Sequence, residues 1–277
     1  MKTLNIKSTI PNLVKPAFVF LLMIPALSAC KKLNLESPSL DREIIIDGNY
    51  DDWSGQMQLL EKDKISVGLM NDAEYLYLSL VTNDRQIRSQ MMFMGFTLWL
   101  DPLGGKKKTF GIRFPIGMTE SGMSMREMRE ERNQAQMEDI FFQAMYELEI
   151  LGPDDGDRTR LGVSEIQGLE VKANPSRGSF VYELKLPLKA EGLYNYAINI
   201  EPGSLIGIGL ETQEMDRGMM GDRMGSGGMG GGRDRIGGGG RRGGGGQGGR
   251  GGGMGGSGGR EAPQPLKVWA VVQLASE

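Results

Sequence analysis

Short runs of alternating apolar and polar residues, each closed by a turn former, dominate the chain from residue 43 onward. The clearest is Tyr75-Leu76-Tyr77-Leu78-Ser79-Leu80-Val81, where Leu76, Leu78 and Leu80 fall on one side of a strand and Tyr75, Tyr77 and Ser79 on the other. Its apolar content on both sides predicts burial of both faces. Glu43-Ile44-Ile45-Ile46 before Asp47-Gly48, and residues 64–69 before Asn71-Asp72, read as strands ended by turns. Phe96-Thr97-Leu98-Trp99-Leu100-Asp101 repeats the alternation and stops at Pro102; Gly104-Gly105 and three lysines then lead into residues 109–114, so these strands predict a meander. Further strands are expected at 146–151, around 169–171, at 180–186, at 205–210 and at 268–274.

The period changes once. Ser124-x-x-Glu127 forms a capping box, and Met137, Phe141, Ala144 and Met145 share one helical face, so a helix over about 124–145 is predicted to lie on the strands with its C-terminal half docked. The predicted fold is all-β: an antiparallel β-sandwich of two sheets, jelly-roll-like or immunoglobulin-like, with one helical insertion. Residues 215–265 are dominated by glycine with scattered arginine and methionine, and most of the chain's 43 glycines lie there. Glycine has no side chain to bury and the most backbone entropy to lose, which predicts a stretch without fixed structure. Because an apolar strand follows it, the tract is expected to be a long loop inside a domain spanning 43–274. Loop-closure entropy permits this, at roughly 0.6 kcal/mol per doubling of length.

Ahead of the strands stands a different signal. Lys2, Lys7 and Lys15 precede the apolar run 18–24, which is too short to span a bilayer, and Leu27-Ser28-Ala29 leads into Cys30, the single cysteine of the chain. This layout resembles the lipobox of bacterial lipoproteins. The resemblance implies a signal peptide over 1–29, cleavage before Cys30 and acylation of its thiol and new amine. Two or three acyl chains hold stably where one does not, at about 0.8 kcal/mol per buried methylene. Residues 30–42, polar and carrying Pro38, are expected to be a tether. Lys31 follows Cys30 where an aspartate would mark inner-membrane retention in that family, so the resemblance implies the outer membrane, with the leaflet left open.

Composition narrows the chemistry. The 277 residues contain no histidine, which removes serine–histidine, cysteine–histidine and histidine-zinc catalysis. With Cys30 acylated, no disulfide forms, and a hydrophobic core alone must hold the domain. A formal charge of −3 selects no polyanionic partner. Paired carboxylates remain the one route to glycoside hydrolysis, and no spacing here sets two of them across a cleft; we expect no catalytic residues and no enzyme activity.

Ile46-Asp47-Gly48-x-x-Asp51-Asp52-Trp53, then Asn71-Asp72-Ala73-Glu74-Tyr75-Leu76-Tyr77-Leu78, then Leu98-Trp99-Leu100-Asp101-Pro102, are similar in order and spacing to family 9 carbohydrate-binding modules and the related DOMON-like domains. The resemblance covers the first third of the chain after Cys30 well and the remainder by strand order. It implies an antiparallel sandwich and a small ligand: a sugar end, or haem in some relatives. Read physically, the Asp47-Gly48 turn and the Trp53 indole cover the end of a core, and Asp72 and Asp101 sit in turns.

Sugar binding needs flat aromatic faces beside groups that bond hydroxyls. Tyr75, Tyr77, Trp99 and Trp269 have the parity to share one sheet face and are the candidate ligand-binding residues; the same parity suits packing between sheets. Other ligands have weaker support. Haem lacks a histidine ligand, and Met91, Met92 and Met94 fill core gaps as readily as they ligate. Met118, Met123, Met125 and Met128, with Met215, Met219, Met220 and Met224, resemble Cu(I)-binding thioether clusters but are loosely spaced. Asp154-Asp155-Gly156-Asp157 lacks EF-hand spacing and reads as a solvated turn. No cofactor or metal is expected. Arg233, Arg235, Arg241, Arg242 and Arg250 imitate RNA-binding Arg-Gly segments, but an exported protein meets little nucleic acid, and a flexible spacer is the plainer reading. The expected function is a lipid-anchored envelope module that binds carbohydrate or a related small ligand. The alternative is an assembly lipoprotein that engages an envelope protein partner.

Overall fold

A computed structural model describes residues 32–121, 144–154, 156–175, 178–192, 194–214 and 264–276. They form two facing sheets. The seven-stranded sheet has the spatial order β1 (Leu33–Ser37), β12 (Lys267–Leu274), β11 (Leu205–Thr212), β5 (Phe96–Asp101), β6 (Phe110–Arg113), β7 (Glu147–Leu151) and β8 (Arg158–Gly162). The five-stranded sheet runs β2 (Met57–Leu60), β3 (Ile65–Asn71), β4 (Tyr75–Thr82), β10 (Phe180–Pro187) and β9 (Glu170–Pro175). All pairings are antiparallel except β1 with β12. The all-β sandwich is therefore the fold.

Alternation places the core between the sheets. Leu76, Leu78 and Leu80 of β4 face Leu98 and Leu100 of β5, Ile206, Ile208 and Leu210 of β11, and Val268, Ala270 and Val272 of β12 in one continuous cluster. Residues 205–210 and 268–274 are neighbouring strands of one sheet, as expected if the chain between them is a loop within the domain. The loop expected at 215–265 lies outside the described residues up to 263, as does nearly all of the helix expected at 124–145.

One buried group is mismatched to this apolar interior. Tyr182, on the inner face of β10, is fully buried, its ring 5.0 Å from Phe96 in an edge-on contact, and its hydroxyl has no hydrogen-bond partner among the described residues. An unmet buried hydroxyl costs about 1–3 kcal/mol. Tyr182→Phe is therefore expected to stabilise the fold by about 1 kcal/mol, seen as a higher denaturant midpoint with unchanged slope; an equal or lower midpoint contradicts the assignment.

Two expectations are corrected, and one helix is added. Residues 30–42 are not simply a tether: Leu33–Ser37 is an edge strand, with Leu35 and Ser37 buried on its inward side. Asn71 fixes that edge, accepting from the Ser37 hydroxyl at 2.9 Å and from the Ala275 N–H at 2.9 Å. The free side of β1 is capped by the Gln58 amide, which accepts from Glu36 N–H and donates to Glu36 C=O. Residues 43–46 form no strand; they cross the outside of the five-stranded sheet, burying Ile44. A ten-residue helix, α1 (Arg85–Met94), carries the chain from β4 in one sheet to β5 in the other. Asp84 caps it by accepting from Gln86 N–H at 2.9 Å and Ile87 N–H at 3.1 Å, while Gly95 at φ 84° ends it.

A second, smaller core covers the outer face of the five-stranded sheet: Ile44, Trp53, Met70 and Tyr77. Trp53 lies on Gly68 so closely that a β-carbon there would come within 2.5 Å of the ring. Its indole N–H donates to Glu183 Oε1 at 2.8 Å, and Glu183 Oε2 accepts from Asp47 N–H at 3.1 Å and Gly48 N–H at 2.6 Å. The Ile46–Trp53 motif is thus a clasp closed on one buried carboxylate. Burial pushes the Glu183 carboxyl above its ordinary range, against the opposing pull of the Trp53 and Gly48 hydrogen bonds.

Candidate functional site

The four aromatic residues singled out in the sequence divide between opposite outer faces of the sandwich. Parity fixes a side chain's face within its own sheet, and α1 delivers β4 and β5 to different sheets, so Tyr75 and Tyr77 lie apart from Trp99 and Trp269. Tyr77 is 7 % exposed under the Trp53 cluster. Its hydroxyl donates to Asp72 Oδ2 at 3.3 Å, and burial, reinforced by that carboxylate, raises its pKa. The Tyr75 hydroxyl pairs with that of Tyr194 at 2.6 Å, and the Lys185 ammonium stands 4.5 Å from the Tyr75 ring. Burial and Tyr194 raise its pKa too. These contacts commit the tyrosines to the fold.

Trp99 and Trp269 form a different arrangement on the outer face of the seven-stranded sheet. Across four strands one register row reads Trp269 (β12), Gly209 (β11), Trp99 (β5) and Gly111 (β6). Each indole lies down over the glycine beside it: a β-carbon on Gly209 would meet Trp269 Cε2 at 2.6 Å, and one on Gly111 would meet Trp99 Cζ3 at 2.7 Å. Only glycine leaves room for a ring to rest on the sheet backbone. Both rings lean the same way, so they repeat two strands apart, ~9.6 Å. Both rings are half-buried.

Polar groups frame the pair. Glu211, one residue pair along β11 from Gly209, accepts from the Trp269 indole N–H at 3.3 Å and forms an ion pair with Lys108. The Lys108 ammonium stands 5.0 Å from the Trp99 ring centre. Lys108 reaches this place because the turn after β5 folds back over the face: Asp101, 3 % exposed, accepts from Leu103 N–H at 3.1 Å and Lys107 N–H at 2.8 Å. The same turn brings Gly105 against Gly207 of β11. The Leu98–Pro102 motif therefore supplies both a ring, Trp99, and the carboxylate that shapes its border. Flat apolar faces next to a carboxylate and an ammonium can stack on sugar C–H surfaces and bond hydroxyls.

Beyond Gly111 the same face becomes ionic, which the sequence did not disclose. Arg113, 4 % exposed, donates to Glu149 at 3.3 Å, Glu120 at 3.1 Å and Gln213 at 2.6 Å; Arg158 and Arg160 also approach Glu149 at 3.5 and 3.4 Å. Three guanidiniums meet Glu120, Glu147 and Glu149, so the cluster is balanced internally. A shallow hollow of about 230 Å³ lies elsewhere, lined by Glu165, Ile166, Gln167, Gly192, Asn195 and Tyr196. It has no pair of aromatic faces.

The remaining candidates are placed as follows. Trp53 is fully buried. Met91 and Met94 are sealed in the core and Met118 is buried, while Met123, Met125 and Met128 and the methionines after 214 lie outside the described residues. No group of three or more acidic or cysteine side chains suited to a metal occurs among the described residues. Cys30 also lies outside them, and among the described residues no helix is long and apolar enough to cross a membrane.

No family model matches this sequence, and no curated protein matches it. Among solved structures, it is similar to a family 9 carbohydrate-binding module from Caldicellulosiruptor kristjanssonii in complex with glucose, at 13 % identity and a TM-score of 0.35 over 67 % of this chain and 81 % of that one. The same module in complex with cellotriose gives 13 % and 0.34, over 68 % and 80 %. A protein from Bacteroides uniformis described as carbohydrate-binding gives 10 % and 0.35, over 65 % and 84 %.

Proposed function

We propose that this protein is a non-catalytic carbohydrate-binding module whose site is the Trp99–Trp269 platform on the outer face of the seven-stranded sheet. The observation that carries the reading is the row Trp269-Gly209-Trp99-Gly111, in which each glycine leaves room for an indole to rest on the outer face of the sheet. Glu211 and Lys108 at its border supply an acceptor and a donor for hydroxyls. The carboxylates nearby are already spent: Glu211 on Lys108 and Trp269, and Asp101 on its own turn. Neither faces the other across a cleft as bond cleavage would require. A glycan array probed with the full chain in detergent micelles tests this directly. Binding to at least one neutral glycan that Trp99→Ala with Trp269→Ala abolishes is expected; a silent array contradicts the reading.

We further propose that Cys30 carries the acyl anchor that holds the module at the envelope, in the outer membrane. The support is the layout of residues 1–30, with basic residues, a short apolar run and small residues before the single cysteine. With β1 beginning at Leu33, such an anchor would hold the sandwich close to the bilayer, since the three residue steps from Cys30 reach at most ~11 Å. Metabolic labelling with an alkynyl fatty acid is expected to mark the wild type and leave Cys30→Ser unmarked. Equal labelling of both, or of neither, refutes the anchor.

A further inference from the structure

Both indoles of the platform are tied to one flexible side chain. Glu211, its side chain 13 % exposed, holds two partners at once: Oε1 accepts from the Trp269 indole N–H at 3.3 Å, and Oε2 takes the Lys108 ammonium. That ammonium also stands 5.0 Å from the centre of the Trp99 ring. A link from Trp269 through Glu211 and Lys108 to Trp99 therefore bridges the row, and Lys108 fills the place a ligand on Trp99 needs. The two charged members of the link differ in freedom. Glu211 lies within β11 and is held by the indole, whereas the Lys108 side chain is 46 % exposed on a flexible stem. The backbone that delivers Lys108 is pinned: Asp101 accepts from Leu103 N–H and Lys107 N–H, and Gly105 rests against Gly207. Only the side chain is left to move.

Resting on the glycan-binding reading above, we propose that Lys108 is a built-in latch: it closes the platform over Trp99 in the unliganded protein and swings aside when a sugar binds. The ammonium makes the two contacts a sugar would make there, one to the ring and one to the carboxylate, so it competes for both. When a sugar displaces it, a hydroxyl takes its place on Glu211 Oε2. Lys267, the register partner of Glu211 on β12, remains opposite that residue in either state. What opening breaks is an ion pair whose cationic member is half exposed, and salt screens such pairs. Binding of a neutral glycan is therefore strengthened by salt, because salt weakens the competitor and leaves the stacking contact in place.

The test is titration calorimetry of the full chain in detergent micelles with the neutral glycan bound most tightly on the array, in sodium chloride from about 0.02 to 0.5 M. Affinity is expected to rise about two- to fivefold over that range, the factor a partly exposed ion pair supplies. Lys108→Gln keeps a hydrogen-bond donor and removes the charge, so it should bind tighter by the same factor at low salt and respond to salt no further. A second readout needs no ligand. In Trp269→Phe, with Trp53 fully buried, acrylamide reaches Trp99 alone, and its quenching should increase with salt and on adding Lys108→Gln. Affinity that stays flat or falls with salt, or weaker binding by Lys108→Gln, overturns the latch while the platform reading survives. Quenching of Trp99 that ignores both salt and Lys108→Gln overturns the latch whatever the array shows, and a silent array overturns the platform and with it the ligand the latch excludes.

Discussion

Trp53→Ala is expected to lower the stability of the sandwich by about 3–5 kcal/mol, the range for emptying a buried aromatic site. Two losses combine. The indole leaves a void over Gly68 among Ile44, Met70 and Tyr77, and Glu183 Oε1 loses its donor at a fully buried position. Trp53→Phe separates them: it restores much of the apolar volume, so its cost should fall to about half. Equilibrium urea unfolding checks both, and a loss below about 1 kcal/mol for Trp53→Ala would show that the clasp contributes little. The pH dependence has a definite sign. Because burial raises the Glu183 pKa in the folded protein, its contribution is fully present below the ordinary glutamate range and is lost as pH rises through the raised value. The stability advantage of wild type over Glu183→Gln should therefore shrink between pH 4 and pH 7.

Trp99→Ala and Trp269→Ala should each weaken glycan binding at least tenfold and together abolish it, at a stability cost well below that of Trp53→Ala. A stacked ring contributes about 0.5–1.5 kcal/mol beyond the area it covers; each indole rests on the sheet and is half-buried, and on Trp99 a ligand would take the place of the half-exposed Lys108 side chain. Both are held by a single layer of contacts on a two-sheet core that they do not enter. Affinity electrophoresis in gels containing a bound polysaccharide reads the effect as restored mobility, with a denaturation midpoint reporting on the fold. Tyr75→Phe serves as the control, since Tyr75 faces outward from the other sheet and pairs with Tyr194; its retardation should match wild type. If Tyr75→Phe releases the protein while Trp99→Ala does not, the site has been placed on the wrong face.

Much of the fold was legible because period-two alternation is a direct consequence of one buried face. It marked β3 to β7 and β9 to β12 and put Leu76, Leu78 and Leu80 inside. β1 escaped because charged and polar residues surround it, although Leu33, Leu35 and Ser37 do alternate. β8, with three polar residues in Arg158–Gly162, is an edge strand that buries little and leaves no apolar signature. For α1, Asp84 and Gly95 stood as start and stop signals and Ile87, Met91 and Met94 as the buried stripe, but the polar remainder masked them. That helix also explains why the tyrosines and tryptophans part company, since strand parity carries no information about which sheet a strand joins. The glycines were the overlooked clue. Gly68, Gly111 and Gly209 interrupt otherwise apolar strands, and each lies beneath an indole.

The central claim, that two of the three tryptophans form the ligand surface while the third is part of the scaffold, is tested most directly by following the three indole N–H resonances during titration with a glycan that the array identifies. The signals assigned to Trp99 and Trp269 should shift together with one saturation curve, and that of Trp53, hydrogen-bonded to Glu183 on the opposite face, should stay in place. Saturable binding that leaves Trp99 and Trp269 unmoved would contradict the account.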